Sequence, residues 1–202
     1  MFRRPGSPLL LTAILLLGTA LRLAPWGQNR FLEDEALYAV WGLQIATGAD
    51  PLLDFEPVDK PPLYPYVLAA SFWLSGSTAG GRQAEAAARL PSLLAGVAGI
   101  ALVYALARAL YPRPQDAAVP VLAALLLALS PFDVLFASTA FTDPLLVALG
   151  LGALLAAARG RAGAAGLLAG LAAATKHQGL LLLPLVLAVA ALVPGLRRAG
   201  LL

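Results

Sequence analysis

Seven of the chain's eleven carboxylates fall between Phe31 and Tyr66: Glu33, Asp34, Glu35, Asp50, Asp54, Glu56 and Asp59. One of its two lysines, Lys60, stands in the same stretch, between Asp59 and the pair Pro61-Pro62. A residue ahead of proline is pushed to extended backbone, and consecutive prolines favour polyproline II, so Lys60 is displayed on a stiff chain at low entropic cost. An ammonium held beside a carboxylate suits an anionic phosphate, with the acid as its partner or as a metal ligand. The plainer alternative is a lysine that anchors the chain at a membrane interface. Asp34 and Glu35 open a helical pattern. They serve either as the acids that a helix N-terminus favours, or in chemistry, with Asp34 as general base or charge stabiliser and Tyr38 one turn on along the same face.

Two further groups lie far downstream. Thr142-Asp143-Pro144 has the form of a helix start, with Asp as cap and Pro at the first helical position. An Asp beside an apolar run is costly, and Ser138, Thr139 and Thr142 make its surroundings polar, which fits an acid kept for chemistry. Thr175-Lys176-His177 separates two short apolar runs, where Lys176 either ends a helix favourably or binds a second anionic group. His177 is the only histidine, a weak metal signature. Arg89-Leu90-Pro91 reads as a membrane-edge anchor or as a phosphate ligand.

The elements that must position these residues belong in a membrane. Of 202 residues, 60% are hydrophobic and 12% charged, with a mean hydropathy of +0.81, whereas about a quarter of a soluble domain is charged. Long runs of Leu, Ala, Val and Gly give an all-α reading, a polytopic transmembrane helical bundle forming one module over 1–202. Cysteine is absent, which excludes thiol catalysis, thiolate metal sites and a disulfide framework. The pI near 9.6 does not point to nucleic acid, because the basic residues punctuate the ends of apolar runs and form no stripe with interleaved aromatics.

In order, Pro8 to Ala24 reads as an uncleaved first span, with Arg22 snorkelling to the interface and Trp26 in the aromatic belt. Residues 25–88 read as an external loop. Within it, Glu35 to Thr47 is too short to cross ~30 Å of hydrocarbon and reads as a surface helix stopped by Gly48 and Asp50-Pro51. Leu63 to Leu74 is placed on the surface as well, and Gln83 to Arg89 is a polar helix. Further spans are expected at Leu90 to Leu110, Ala117 to Phe136, Pro144 to Ala158, Ala162 to Ala174 and Leu180 to Val193, about six in all. Gly96 with Gly99, and Gly166 with Gly170, are placed at close helix crossings. On this threading Arg3/Arg4, Arg108/Arg113, Arg159/Arg161 and Arg197/Arg198 share one side, and ten of the eleven acids share the other. The positive-inside rule then puts the amino terminus in the cytoplasm, and Asp34, Asp59, Lys60, Asp143 and Lys176 on one external face.

The pieces DEALYA at Asp34, DKPPLYPY at Asp59, RLPS at Arg89, SPFDVLFASTAFTDP at Ser130 and TKHQG at Thr175, in this order, resemble the GT-C superfamily of integral-membrane glycosyltransferases. The resemblance is strongest to the glycosyltransferase family 39 and aminoarabinose-transferase-like group, which includes protein O-mannosyltransferases. It implies transfer of a sugar from a polyprenyl-phosphate donor in the lipid bilayer to an acceptor protein, lipid or glycan, at the external face of a bacterial or archaeal plasma membrane. It also implies Asp34, with its neighbour Glu35, and Asp143 as catalytic acids, and Lys60, Tyr64, Arg89 and Lys176 as substrate-binding residues. Asp59, where the family more often has Glu, would hold a divalent metal ion, the one cofactor expected. A leaving phosphate needs its charge neutralised, and an attacking hydroxyl or amine needs a base or a positioning acid. Members of the superfamily are usually much longer, so the chain resembles their amino-terminal half and reads as a truncated chain, a fragment, or one part of a split enzyme with a second chain supplying the missing helices as a further partner. A permease or flippase-like transporter would want ionisable groups near mid-membrane and broken helices in related halves, whereas here the acids cluster on one face and no repeat appears. A non-catalytic membrane subunit is the third class.

Overall fold

The computed structural model describes residues 8–28, 30–55, 60–79 and 81–198, with side chains as far as Val193. Every regular element among them is helical: α1 Pro8–Leu23, α2 Glu33–Thr47, α3 Leu63–Ser75, α4 Gly81–Leu110, α5 Ala118–Ala128, α6 Pro131–Ala137, α7 Asp143–Ala158, α8 Ala162–Thr175 and α9 Leu182–Arg198. Short 3-10 turns, Pro114–Asp116 and His177–Leu181, lead into α5 and α9. The all-α class expected from the sequence is what is observed.

Helix α4 joins what the sequence suggests are two elements, the polar helix before Arg89 and the apolar run after it, into 30 continuous residues with Pro91 inside. Proline has no N–H, so the carbonyl one turn back loses its helical partner. That carbonyl, on Ala87, accepts a hydrogen bond of 2.6 Å from Ser71 Oγ of α3. The lost helical bond is replaced by one between helices, and α4 becomes the post against which α7, α5, α3, α1 and α6 pack.

By length and composition α4 is suited to crossing a bilayer. The expected span over 117–136 is broken: α5 and α6 meet the same criterion only as a pair, bent by 56° between them. Ser130 and Pro131 make the break, with the serine Oγ at the cap accepting from Asp133 N–H at 3.4 Å and proline in the first turn. Helices α1, α7 and α8 and the segment His177–Val193 are apolar but shorter, within 10–17 residues.

Arg22 is not at an interface. It is 0% exposed; Nη1 donates to the carbonyls of Gly18 (2.8 Å) and Ala128 (3.2 Å), and Nη2 to Leu127 (3.2 Å) and to the Asp133 carboxylate. The last carbonyls of α5 run short of helical N–H groups; Leu127 accepts from Ser130 N–H at 3.3 Å, and the guanidinium adds donors to it and to Ala128. Small residues make the room. A Cβ on Gly96 would lie 2.7 Å from Ala137 Cβ, and one on Gly18 would lie 2.5 Å from Ile100 Cδ1. The expected crossing at Gly166 and Gly170 is not seen, since a Cβ at either would meet nothing within 4 Å, and Gly99 has only ordinary contacts.

Helix α2 does not lie alone on a surface. It packs on α3 and the head of α4 through Tyr38, Trp41, Tyr64, Leu68, Phe72 and Ala88, and Gly42 lets the two backbones close, with Leu68 Cβ 2.7 Å from where its Cβ would be. Gly48 ends α2 at φ 73°, a left-handed cap that glycine adopts without strain. Asp50, 3% exposed, accepts from the N–H groups of Asp54 (2.9 Å) and Phe55 (3.0 Å) and so gathers the turn that follows.

Candidate active site

Asp143 opens α7, with Thr142 before it and Pro144 behind. Expected as the helix cap, its carboxylate instead accepts a hydrogen bond of 2.7 Å from Lys176 Nζ, and the two side chains are 36% and 32% exposed. Lys176 leaves the end of α8 in extended backbone. The chain then turns back, Gly179 N–H donating to the Lys176 carbonyl at 2.8 Å. A Cβ on Gly179 would stand 2.4 Å from the carbonyl carbon and oxygen of Ala172, so this turn requires glycine.

Two buried polar links fix the loop that delivers Asp143. In the first, Glu35, 1% exposed, accepts from Arg89 Nε at 3.0 Å, Leu32 N–H at 2.9 Å and Ala140 N–H at 2.8 Å. One carboxylate thereby ties the start of α2 to α4 and to residue 140. In the second, Tyr64 Oη and Ser92 Oγ are 2.8 Å apart, and Ser92 Oγ donates to the Phe141 carbonyl at 2.9 Å. Helices α2, α3 and α4 therefore all hold the 140–142 segment.

Tyr38, buried on α2, faces α3. Its ring stands edge-on to Trp41 and to Tyr64, with centroids 5.7 and 5.3 Å away. Burial pushes its phenol above the ordinary tyrosine value; Lys60 opposes that shift, Asp34 and Asp143 add to it, and a side-chain hydrogen bond with Thr142 opposes it. Tyr38 thus holds its proton more tightly than an ordinary tyrosine, with the charges of Asp34 and Asp143 acting one way and that of Lys60 the other. A cavity of about 320 Å³ opens beside Asp143, with Ser130, Phe132, Asp133 and Phe136 among its walls.

Residues 59–201 match the family model described as Dolichyl-phosphate-mannose-protein mannosyltransferase. The chain belongs to this family. No curated protein and no solved structure matches it.

The match takes in Lys60, Tyr64, Arg89, Asp143 and Lys176, and begins after Asp34 and Glu35. In this mannosyltransferase-family chain the residues singled out from the sequence divide into two groups. Asp34, exposed in the first turn of α2, and Lys60, also exposed, carry charges that act on Tyr38 together with that of Asp143, and Asp143 in turn is bonded by Lys176. Glu35, Tyr64 and Arg89 are buried, at 1%, 0% and 3% exposure, and their described bonds hold other parts of the protein. Asp59 lies outside the described residues. Among the described residues no three His, Asp or Glu side chains gather as for a metal ion, and an ammonium on one Asp143 oxygen opposes a cation there. The sequence placed Thr142 only in the polar surroundings of Asp143 and Ser92 only within RLPS, and assigned neither a bonding partner. The signal for Ser92 was present, a small hydroxyl residue leading into an apolar run, which in lipid must find a bonding partner.

Proposed function

We propose that the chain is a membrane glycosyltransferase that moves a sugar from a polyprenyl-phosphate donor to a hydroxyl or amine of a protein, lipid or glycan. The reading places transfer at the external face of a plasma membrane, with the amino terminus cytoplasmic. Helices α1, α4, the α5–α6 pair, α7, α8 and α9 would be its crossings, with α2 and α3 outside. One observation carries the reading: Asp143, which follows a segment that buried bonds tie to α2 and α4, presents a partly exposed carboxylate to Lys176 Nζ at 2.7 Å, and its charge acts with those of Asp34 and Lys60 on Tyr38.

In the reaction, the bond between the anomeric carbon and the phosphate oxygen breaks, and its electron pair goes to the phosphate. Lys60 and Lys176 neutralise that charge. The acceptor oxygen or nitrogen forms the new bond to the anomeric carbon and gives its proton to Asp34. Asp143 holds Lys176 at the phosphate and presents a carboxylate to the positive charge growing on the sugar. Neutral Tyr38 donates toward the transferred group. Glu35, Tyr64 and Arg89 act on this site by holding its segments in place. An apolar groove of about 680 Å³ between α3, α4 and α7, with Leu145 in its wall, suits the prenyl chain.

The test is transfer of radiolabelled sugar from polyprenyl phosphate to membrane acceptors by the purified chain, with a partner chain present if one is found. Asp34→Asn should lower turnover by about 10²-fold or more. Unchanged turnover in both Asp34→Asn and Lys60→Ala would remove these residues from the site.

A further inference from the structure

The opposite ends of the same helices carry a second cluster. Tyr104 and Arg108 of α4 and Arg159, just past α7, line a cleft of about 400 Å³. An adjoining cavity of about 280 Å³ shares Tyr104 and Arg108 and adds Tyr111 and Arg113. Among the described residues lining either one there is no carboxylate. The Arg108 guanidinium lies over the Tyr104 ring, 5.9 Å from its centroid. Helix α7 has Asp143 at its other end, and its 16 residues put ~24 Å between that end and the cleft.

Two ordinary causes place arginines at such positions: the negative end of the helix dipole and the inward bias of positive charge. Both act on each helix separately, and neither requires the arginines to share a cavity. Here the guanidiniums of Arg108, on α4, and Arg159, just past α7, share one hollow whose described lining holds no acid, and an anion entering it would relieve the repulsion between them. Arginine is the side chain whose planar fork matches phosphate oxygens two at a time. Tyrosine, apolar in body and polar at the tip, suits the boundary between lipid and water.

We infer that this cleft binds a phosphate ester anion on the membrane face opposite the proposed active site, supplied as the headgroup of an acidic phospholipid. Basic pockets between helices on the cytoplasmic side are known to take such headgroups. The inference does not depend on the transfer reaction.

The chain reconstituted in phosphatidylcholine bilayers, with spin-labelled phosphatidylglycerol or spin-labelled phosphatidylcholine as probe, gives the test. The protein should immobilise the acidic probe in preference to the neutral one. Arg108→Lys and Arg159→Lys keep the charge and the topology but lose the two-pronged bond, and each should weaken that preference by about tenfold. Arg161→Lys, exposed nearby and outside both linings, should leave it intact. If Arg108→Lys fails to fold, Arg159→Lys carries the comparison. Displacement of the acidic probe by millimolar inorganic phosphate would show that the cleft also takes free phosphate, and no displacement would assign it to the lipid. Either result supports the phosphate site. No preference in the unsubstituted chain, or an equal loss in Arg161→Lys, would overturn the inference.

Discussion

Asp34 and Glu35 are neighbours on one helix turn with opposite fates, one exposed beside Tyr38 and the other sealed against Arg89. Removing one member of a buried pair leaves the other charge without compensation, at a cost of about 3–5 kcal/mol. Glu35→Gln should therefore lower the thermal midpoint of the detergent-solubilised chain sharply, while Asp34→Asn leaves it nearly unchanged. Equal midpoints would contradict the structural role given to Glu35. Tyr38 reports on the site itself. Folding holds its proton above the ordinary tyrosine value, so at high pH the folded chain binds more protons than the unfolded one. Its contribution to stability is complete below about pH 10 and is lost as pH rises through the folded value. Absorbance of its phenolate, assigned with Tyr38→Phe, should move to higher pH in Lys60→Gln and to lower pH in Asp34→Asn. Shifts of the opposite sign would mean that these charges do not converge on it. The sequence showed which residues were chemically unusual for a lipid setting. It could not separate Asp34 from Glu35, because what separates them is contact with Arg89 and residue 140, far away in the chain.

At the scale of elements, caps and stops were legible and crossings were not. Gly48 and the Asp50 turn act where their local chemistry put them, because a left-handed cap and an Asx-type turn depend on adjacent residues alone. Glycines at helix crossings depend on which helix arrives. Gly166 and Gly170 looked like a packing pair and meet nothing, whereas Gly18, Gly42 and Gly179 touch residues from other elements. This gives a paired prediction. Gly179→Ala must push the 3-10 turn off α8, parting Lys176 from Asp143, and should abolish sugar transfer along with a drop in thermal midpoint. Gly166→Ala should change neither measurement. A silent Gly179→Ala would refute the turn geometry. The broken α5–α6 span was announced by Ser130-Pro131, a cap followed by proline. Its surroundings are so apolar that the run still read as one helix.

For the molecule as a whole, membership of the mannosyltransferase family and the all-α class agree with what the ordered motifs suggested. The number of crossings does not follow from helix length, since among the described residues α4 alone is long enough by itself and the other apolar helices are short. The threading can be tested directly because the chain has no native thiols. Single cysteines at 34 and 143 should react with an impermeant maleimide from the same side of sealed vesicles, and one at 159 from the other; labelling of 34 and 143 from opposite sides would refute the shared face. Arg22 adds a constraint in time. Its carboxylate partner, Asp133, is made 111 residues later, so at typical synthesis rates α1 waits on the order of ten seconds before its guanidinium can be neutralised. On the proposed threading, the end of the nascent first helix stays in water or against other protein during that interval. There α1 reaches its packed position only when α5 and α6 arrive, so assembly of this protein is ordered by a charge that waits for its counterion.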